Sequence, residues 1–178
     1  MDKQIGSGFT KGEKVFLREM FTDDADLIVK WRNDPEIQKW MFNQDILTKE
    51  EHLSWFDRRE NRIDFMICEV ESGKPIGTVN FINIEEDRAE AGKMIGDKNY
   101  WGGGYAKEAF ILWLNIGFND LGFEEVYVKT MSQNKPNIGL NLKLGFKEKD
   151  RRPKEITGNK KIEELVMSID KEKFNYLR

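Results

Sequence analysis

The chain has 178 residues, 39% hydrophobic and 34% charged, with 29 basic and 32 acidic side chains and a net charge of −3. That is one domain's length with enough apolar material for a core, and the balanced charge gives no electrostatic case for a nucleic-acid partner. One cysteine, Cys68, and one histidine, His52, exclude a disulfide framework and a Cys- or multi-His metal site, and no apolar run nears the ~18 residues of a membrane span.

The opening, MDKQIGSGFTKG, lacks the apolar stretch of a secretory signal and reads as a flexible arm over 1–12, ahead of one domain over 13–178. A cytoplasmic protein without a membrane partner is the expectation. Lys14 to Met20 reads as a strand. Thr22 is placed to cap an acidic first turn, Asp23-Asp24, before Leu27, Ile28 and Trp31. Asp34-Pro35 opens a second, short helix. Thr48 to Glu51 fits a capping box before a helix on which His52, Trp55 and Phe56 share a face. The basic residues Arg58, Arg59 and Arg62 read as a solvated face. Ile63–Val70 and Pro75–Ile84, rich in β-branched and aromatic residues, flank the turn Glu71-Ser72-Gly73-Lys74 and predict a hairpin. Cys68, in an apolar stretch, reads as core.

Arg88–Ile95 is the next predicted strand, and a helix follows Gly102-Gly103-Gly104 as far as about Asp120. Glu125–Met131 is a strand, and Pro136–Leu144 a short helix stopped by Gly145. Two strands, Phe146–Arg151 and Ile162–Ile169, close the chain. The order predicts an α+β fold with antiparallel hairpins beside one parallel crossover.

Met94 to Ala109, MIGDKNYWGGGYAKEA, is the strongest local signal. Glycines that open a helix let backbone approach a ligand closely, and the free N–H groups of the first turn, aided by the helix dipole, can hold a pyrophosphate. On spacing alone, a plain glycine-rich turn is an equal reading. It is neither a dinucleotide fingerprint nor a P-loop, because the flanking elements and the Gly-Lys-Ser/Thr ending are missing. A second signal is Asn134-Lys135-Pro136-Asn137 followed by IGLNLKLGF, an Asn-rich turn into an amphipathic helix.

Together these segments resemble the GNAT superfamily of acyl-CoA-dependent N-acetyltransferases, over about residues 14 to 170. The family's phosphate loop, Arg/Gln-x-x-Gly-x-Gly/Ala, is matched by Trp101 to Ala106, with Trp101 in the leading position, as in relatives of the ribosomal-protein N-terminal acetyltransferases. Asn134, Asn137 and Lys143-Leu144-Gly145-Phe146 match the family's second motif. The resemblance implies a mixed, mostly antiparallel sheet of about six or seven strands, flanked by helices, with its central strands splayed. It implies acetyl-CoA as co-substrate without a metal, and a small-molecule amine as acceptor; a homodimer is left open. CoA would then meet Met94, Ile95 and Gly96, the turn Trp101, Gly102, Gly103, Gly104, Tyr105 and Ala106, and Asn134, Asn137 and Lys143.

The segments WRNDPEI, EEHLSWF and GTVNF also resemble one branch, which acetylates the 4-amino group of a UDP-linked dideoxy amino sugar in pseudaminic acid synthesis. That branch implies Arg32, His52 and Trp55 as the acceptor wall, with Arg as a fork for diphosphate. A satisfied, buried histidine is an equal reading of His52. The resemblance also places a carboxylate at Glu90, as general base or as the plain partner of Arg88 or a nearby lysine. Asn141 stands where many members carry the tyrosine that protonates the thiolate. Water, Tyr105, Tyr127 or another group would have to supply that proton. Other acceptors (a peptide N-terminus, a polyamine, a drug amine) and a non-catalytic acyl-CoA-binding module stay open.

Overall fold

The computed structural model describes residues 11–177. Residues 1–10 of the expected arm lie outside the described residues; its last residue, Gly12, donates its N–H to the Val15 carbonyl at 2.8 Å. The elements are β1 (Val15–Glu19), α1 (Ala25–Arg32), α2 (Pro35–Gln38), α3 (Lys49–Arg58), β2 (Arg62–Glu69), β3 (Pro75–Ile82), β4 (Arg88–Ile95), α4 (Tyr105–Asn115), β5 (Glu125–Met131), α5 (Lys135–Lys143), β6 (Lys147–Ile156), β7 (Lys160–Asp170) and α6 (Lys171–Tyr176). The strands form one seven-stranded sheet in the order β1-β2-β3-β4-β5-β7-β6. Among the described residues only β4 and β5 pair in parallel, so the α+β expectation holds.

Strand alternation divides the apolar residues between two cores. On one face, Phe65, Val79, Phe81, Ala89 and Ala91 pack against Phe110, Trp113 and Leu114 of α4, with Phe81 stacked on Trp113 at 4.5 Å between ring centroids. The small side chains of β4 let that helix lie close to the sheet. On the other face, Met66 and Cys68 of β2 meet Ile28 and Trp31 of α1 and Ile37 of α2, with Met94 of β4 at the margin. The first core holds the sheet to its crossover helix. The second fixes the N-terminal helices above the opposite face.

Three expectations need correction. Thr22 does not cap α1; it lies inside a short 3-10 turn, Thr22–Asp24. The buried Asp24 carboxylate accepts the Phe21 N–H at 2.9 Å and pairs with Arg18 at 2.7 Å, so it serves packing and not a solvated helix start. The trio of arginines is not simply solvated: Arg62 reaches Asp64 at 2.6 Å and Arg59 reaches it at 3.8 Å, and Asp64 is buried. The last two strands run longer than expected, and α6 follows them. β6 has the sequence KEKDRRPKEI, whose charges and proline mask a strand. It is an edge strand, where both are tolerated, and Arg151–Glu163 (3.1 Å) and Arg152–Glu164 (2.9 Å) hold it to β7.

Candidate active site

The parallel register of β4 with β5 covers only Arg88↔Glu125, Ala89↔Val126 and Glu90↔Tyr127. Beyond Glu90 the strands part. β4 continues to Ile95 against β3 alone, and β5 to Met131 against β7 alone. The split leaves one edge of each strand with unpaired backbone groups, able to bind an extended ligand as a sheet binds a strand.

The glycine turn lies at the open end of this split. Gly102 and Gly104 have φ of 77° and 85°, the left-handed region open to glycine. Gly104 is the N-cap of α4, and its carbonyl takes the Glu108 N–H at 3.0 Å. The N–H groups of the first turn have no intrahelical acceptor, and a Cβ placed at Gly102 would have nothing within 4 Å. An open turn, a helix start of positive potential and two free strand edges fit a pantetheine chain and its pyrophosphate.

Trp101 holds this turn in place. Its indole N–H donates to the Ile95 carbonyl at 2.9 Å, although the ring is 45% exposed. That carbonyl is therefore engaged, and Gly96 donates its N–H to Ile76 at 2.8 Å. Of the three positions at the end of β4 expected to meet the ligand, Ile95 and Gly96 thus have backbone groups already used. Gly96 also lets Trp31 of α1 lie over the end of β4, since an added Cβ would run into the indole ring. Tyr105 turns its ring edge-on to Tyr100 at 5.0 Å, and Ala106 follows it in the first turn of α4. Asn134 caps α5 by accepting the Asn137 N–H at 3.3 Å, and Asn137 donates to the Thr130 hydroxyl of β5 at 3.1 Å. These two residues tie α5 to the split. Lys143, at the far end of α5, is exposed.

The second face carries the acceptor candidates. The sheet register puts Asp64, Asn80 and Gly92 in one row and Ile82, Glu90, Tyr127 and Ser168 in the next. Glu90 marks the vertex of the split. Its Oε2 accepts from Lys129 at 2.7 Å and from Asn83 at 3.0 Å. So Glu90 has a lysine partner on the neighbouring strand and also lies beside the splayed edges.

Arg32 ends α1, next to Trp31. Among the described residues it has no ion pair, and its buried Nε has no hydrogen-bond partner. Burial, and then the nearby Arg62 charge, lower its pKa. His52 is 4% exposed, and its Nε2 is also without a partner. Burial first, then the charge of Arg32, push its pKa down, so the neutral imidazole is favoured. Trp55 packs 5.1 Å from the His52 ring and carries the Arg62 guanidinium at 4.5 Å from its own centroid. The structure thus brings Arg32, His52 and Trp55 into one cluster, with His52 inside it and one face of Trp55 covered.

Lys93 was not among the expected site residues. It follows Ala89 and Ala91 on the α4 side of β4, and its Nζ donates to Asn141 Oδ1 at 2.6 Å. A lysine at a core-facing strand position is the signal that alternation offered. Among the described residues there is no cluster of three or more His, Cys, Asp or Glu side chains able to hold a metal, and no helix long and apolar enough to cross a membrane.

The comparisons with known proteins agree with this geometry. The family model of the acetyltransferase (GNAT) domain matches residues 14–147. An N-acetyltransferase called p20 from Bacillus licheniformis is 33% identical over 147 residues, 76% of this chain and 80% of its own length. The protein MJ1062 of Methanocaldococcus jannaschii is 31% identical over 152 residues, 82% of this chain, which spans only 30% of that relative's length. The crystal structure of spermidine N-acetyltransferase from Vibrio cholerae, in complex with CoA and spermine, superposes with a TM-score of 0.84 over 92% of this chain and 99% of that one, at 19% identity. That likeness establishes the fold. With a split sheet, a glycine turn at the start of α4 and a family model matched over most of its length, this chain belongs to the GNAT family of N-acetyltransferases.

Proposed function

We propose that the protein transfers an acetyl group from acetyl-CoA to the primary amine of an acceptor that also carries an anionic group, a nucleotide-linked amino sugar being the best fit. The donor half is supported by the split between β4 and β5 ending at the open N-terminus of α4. Pantetheine would pair with the free edge near Met94, and the pyrophosphate would meet N–H groups from Gly102 to Ala106. Glu90 would take the amine proton through a water at the vertex of the split, its charge held by Lys129.

The acceptor half rests on Arg32. A half-buried guanidinium without a carboxylate, its Nε buried and unpartnered beside a histidine whose Nε2 is also unpartnered, suits a phosphate or carboxylate oxygen. The rest of the face adds to this. Asp64 and Glu90 are both ion-paired, and a cavity of about 400 Å³ beside Tyr127 is lined by Arg88, Lys129, Lys149 and Arg152 against Glu125 and Asp150. A polyamine would need unpaired acids there.

The test is acetyl-CoA turnover with UDP-linked amino sugars, polyamines and N-terminal peptides. The expected result is turnover of the anionic amines, with Arg32→Met raising their KM at least about tenfold, a loss of roughly 1.4 kcal/mol, while acetyl-CoA affinity stays the same. Spermidine as the best acceptor, with Arg32→Met without effect, would contradict the acceptor class and leave the donor half standing.

A further inference from the structure

The family resemblance leaves one chemical gap: Asn141 cannot supply the proton that the departing thiolate needs. The structure puts an ammonium group at that place. Lys93 lies on β4 next to Met94, in the stretch beyond Glu90 where the strand has no partner on the β5 side. Its side chain turns to the face covered by α4 and α5. There Nζ meets Asn141 of α5 at 2.6 Å and lies 4.0 Å from the centroid of Phe110 of α4.

The surroundings hold this amine in one position without neutralising it. Asn141 is fully buried and can only orient the ammonium through its carbonyl, its amide facing Met167 Sδ at 3.9 Å. The Phe110 ring favours a cation through its quadrupole. From α5 and α4, the groups that meet Nζ are thus an amide oxygen and a ring, and Lys93 has no carboxylate partner among the described residues. An ammonium has three donors, and Asn141 takes one.

We propose that Lys93 is the general acid of the reaction, donating a proton to the CoA sulfur as the acyl–sulfur bond breaks. Asn141 positions it, so the donor has moved from α5 to β4. The assignment rests on the acetyl-CoA reading above. In the step, the amine nitrogen forms the bond to the acetyl carbon, and the carbon–sulfur bond breaks with its electron pair going to sulfur. Lys93 gives the sulfur one proton and becomes neutral. The amine of the acceptor loses one proton to Glu90 or water, and solvent returns one to Lys93, so atoms and charge balance.

Burial alone lowers the Lys93 pKa from the usual 10.5 to about 7. That matches a donor that must be charged and yet give up its proton near neutral pH. A purely structural position would be filled better by methionine, which has no charge to desolvate.

The test is a titration of the thiol in the CoA complex, followed by the ultraviolet absorbance of the thiolate, with wild type, Lys93→Met and Lys93→Arg. In wild type the bound thiol should ionise about 1–3 pH units below free CoA, the effect of a cation at close range. In Lys93→Met it should ionise at or above the free value. Lys93→Arg keeps the charge without a proton to give, so it should retain the low thiol value and lose about 10²-fold or more in kcat, with little change in the KM for acetyl-CoA. The same thiol titration in wild type and Lys93→Met would overturn the assignment, as would wild-type kcat in Lys93→Arg. A wild-type protein that binds no CoA would overturn the donor reading and the assignment together.

Discussion

Arg32 and Lys93 are half-buried side chains whose charged ends are desolvated and have no carboxylate partner among the described residues. An unpaired buried charge costs stability, so both positions predict a conflict between stability and function. Arg32→Met should raise the unfolding free energy of the ligand-free protein by about 1 kcal/mol, measured by urea denaturation, while weakening the acceptor. For Lys93 the sign follows from its lowered pKa. The folded state releases the proton near pH 7, whereas the unfolded chain keeps it to about 10.5. Between those values the unfolded state binds more protons, so folding gains stability as pH rises. Lys93→Met should therefore be more stable than wild type at pH ~6, with the advantage shrinking by pH ~9. A constant difference across that range would mean that Lys93 is not desolvated. Glu90 differs from both, because Lys129 and Asn83 hold its carboxylate. Glu90→Gln should lower kcat by about 10²–10⁴. An unchanged kcat would reduce Glu90 to a strut between β4 and β5.

The fold's central device is a pair of strands that pair for three residues and then separate. Both strands were legible in the sequence to the residue, as Arg88–Ile95 and Glu125–Met131, because each is short, β-branched or alternating, and bounded by turn residues. Their separation was not legible from pattern alone and came from family resemblance, since the register between two strands joined by a crossover helix leaves no local trace. β6 was legible only in part, because its proline and charges suit an edge. Packing across elements accounts for the rest. Trp31 covers Gly96, and Lys98 pairs with Asp34 at 2.8 Å and with Glu36 at 2.6 Å, so α1 and α2 are locked to the end of β4. Gly96→Ala should force the indole away, cost about 1–3 kcal/mol and raise the acceptor KM through the displaced α1. Crystals of the variant with Trp31 unmoved would refute that coupling.

Across the whole molecule the sheet separates two tasks. One face carries α4 and the large aromatic core, which fixes the glycine turn. The other carries α1–α3 and the charged row through Glu90, the face to which the proposed function assigns the acceptor. The loop after α2 also reaches the β6–β7 hairpin: the Gln44 N–H donates to the Thr157 hydroxyl at 3.0 Å, and Lys154 lies 4.1 Å over the Phe42 ring. The glycine turn and the start of α4 were readable from sequence because they are built from backbone and glycine, whose spacing survives as a motif. The grouping of Arg32, His52 and Trp55 came from the family resemblance, and Lys93 was missed, because which charges end up buried and unpaired is decided only by the assembled fold. Both the acceptor reading and the role of Lys93 depend on the donor site, so the most direct measurement is calorimetric titration of acetyl-CoA into wild type and Gly104→Val. Valine at a φ of 85° is strained and would crowd the phosphate. Wild type should bind one equivalent, and the folded variant should bind at least about tenfold more weakly. Equal affinity in the two proteins, or no binding by wild type, would contradict the account.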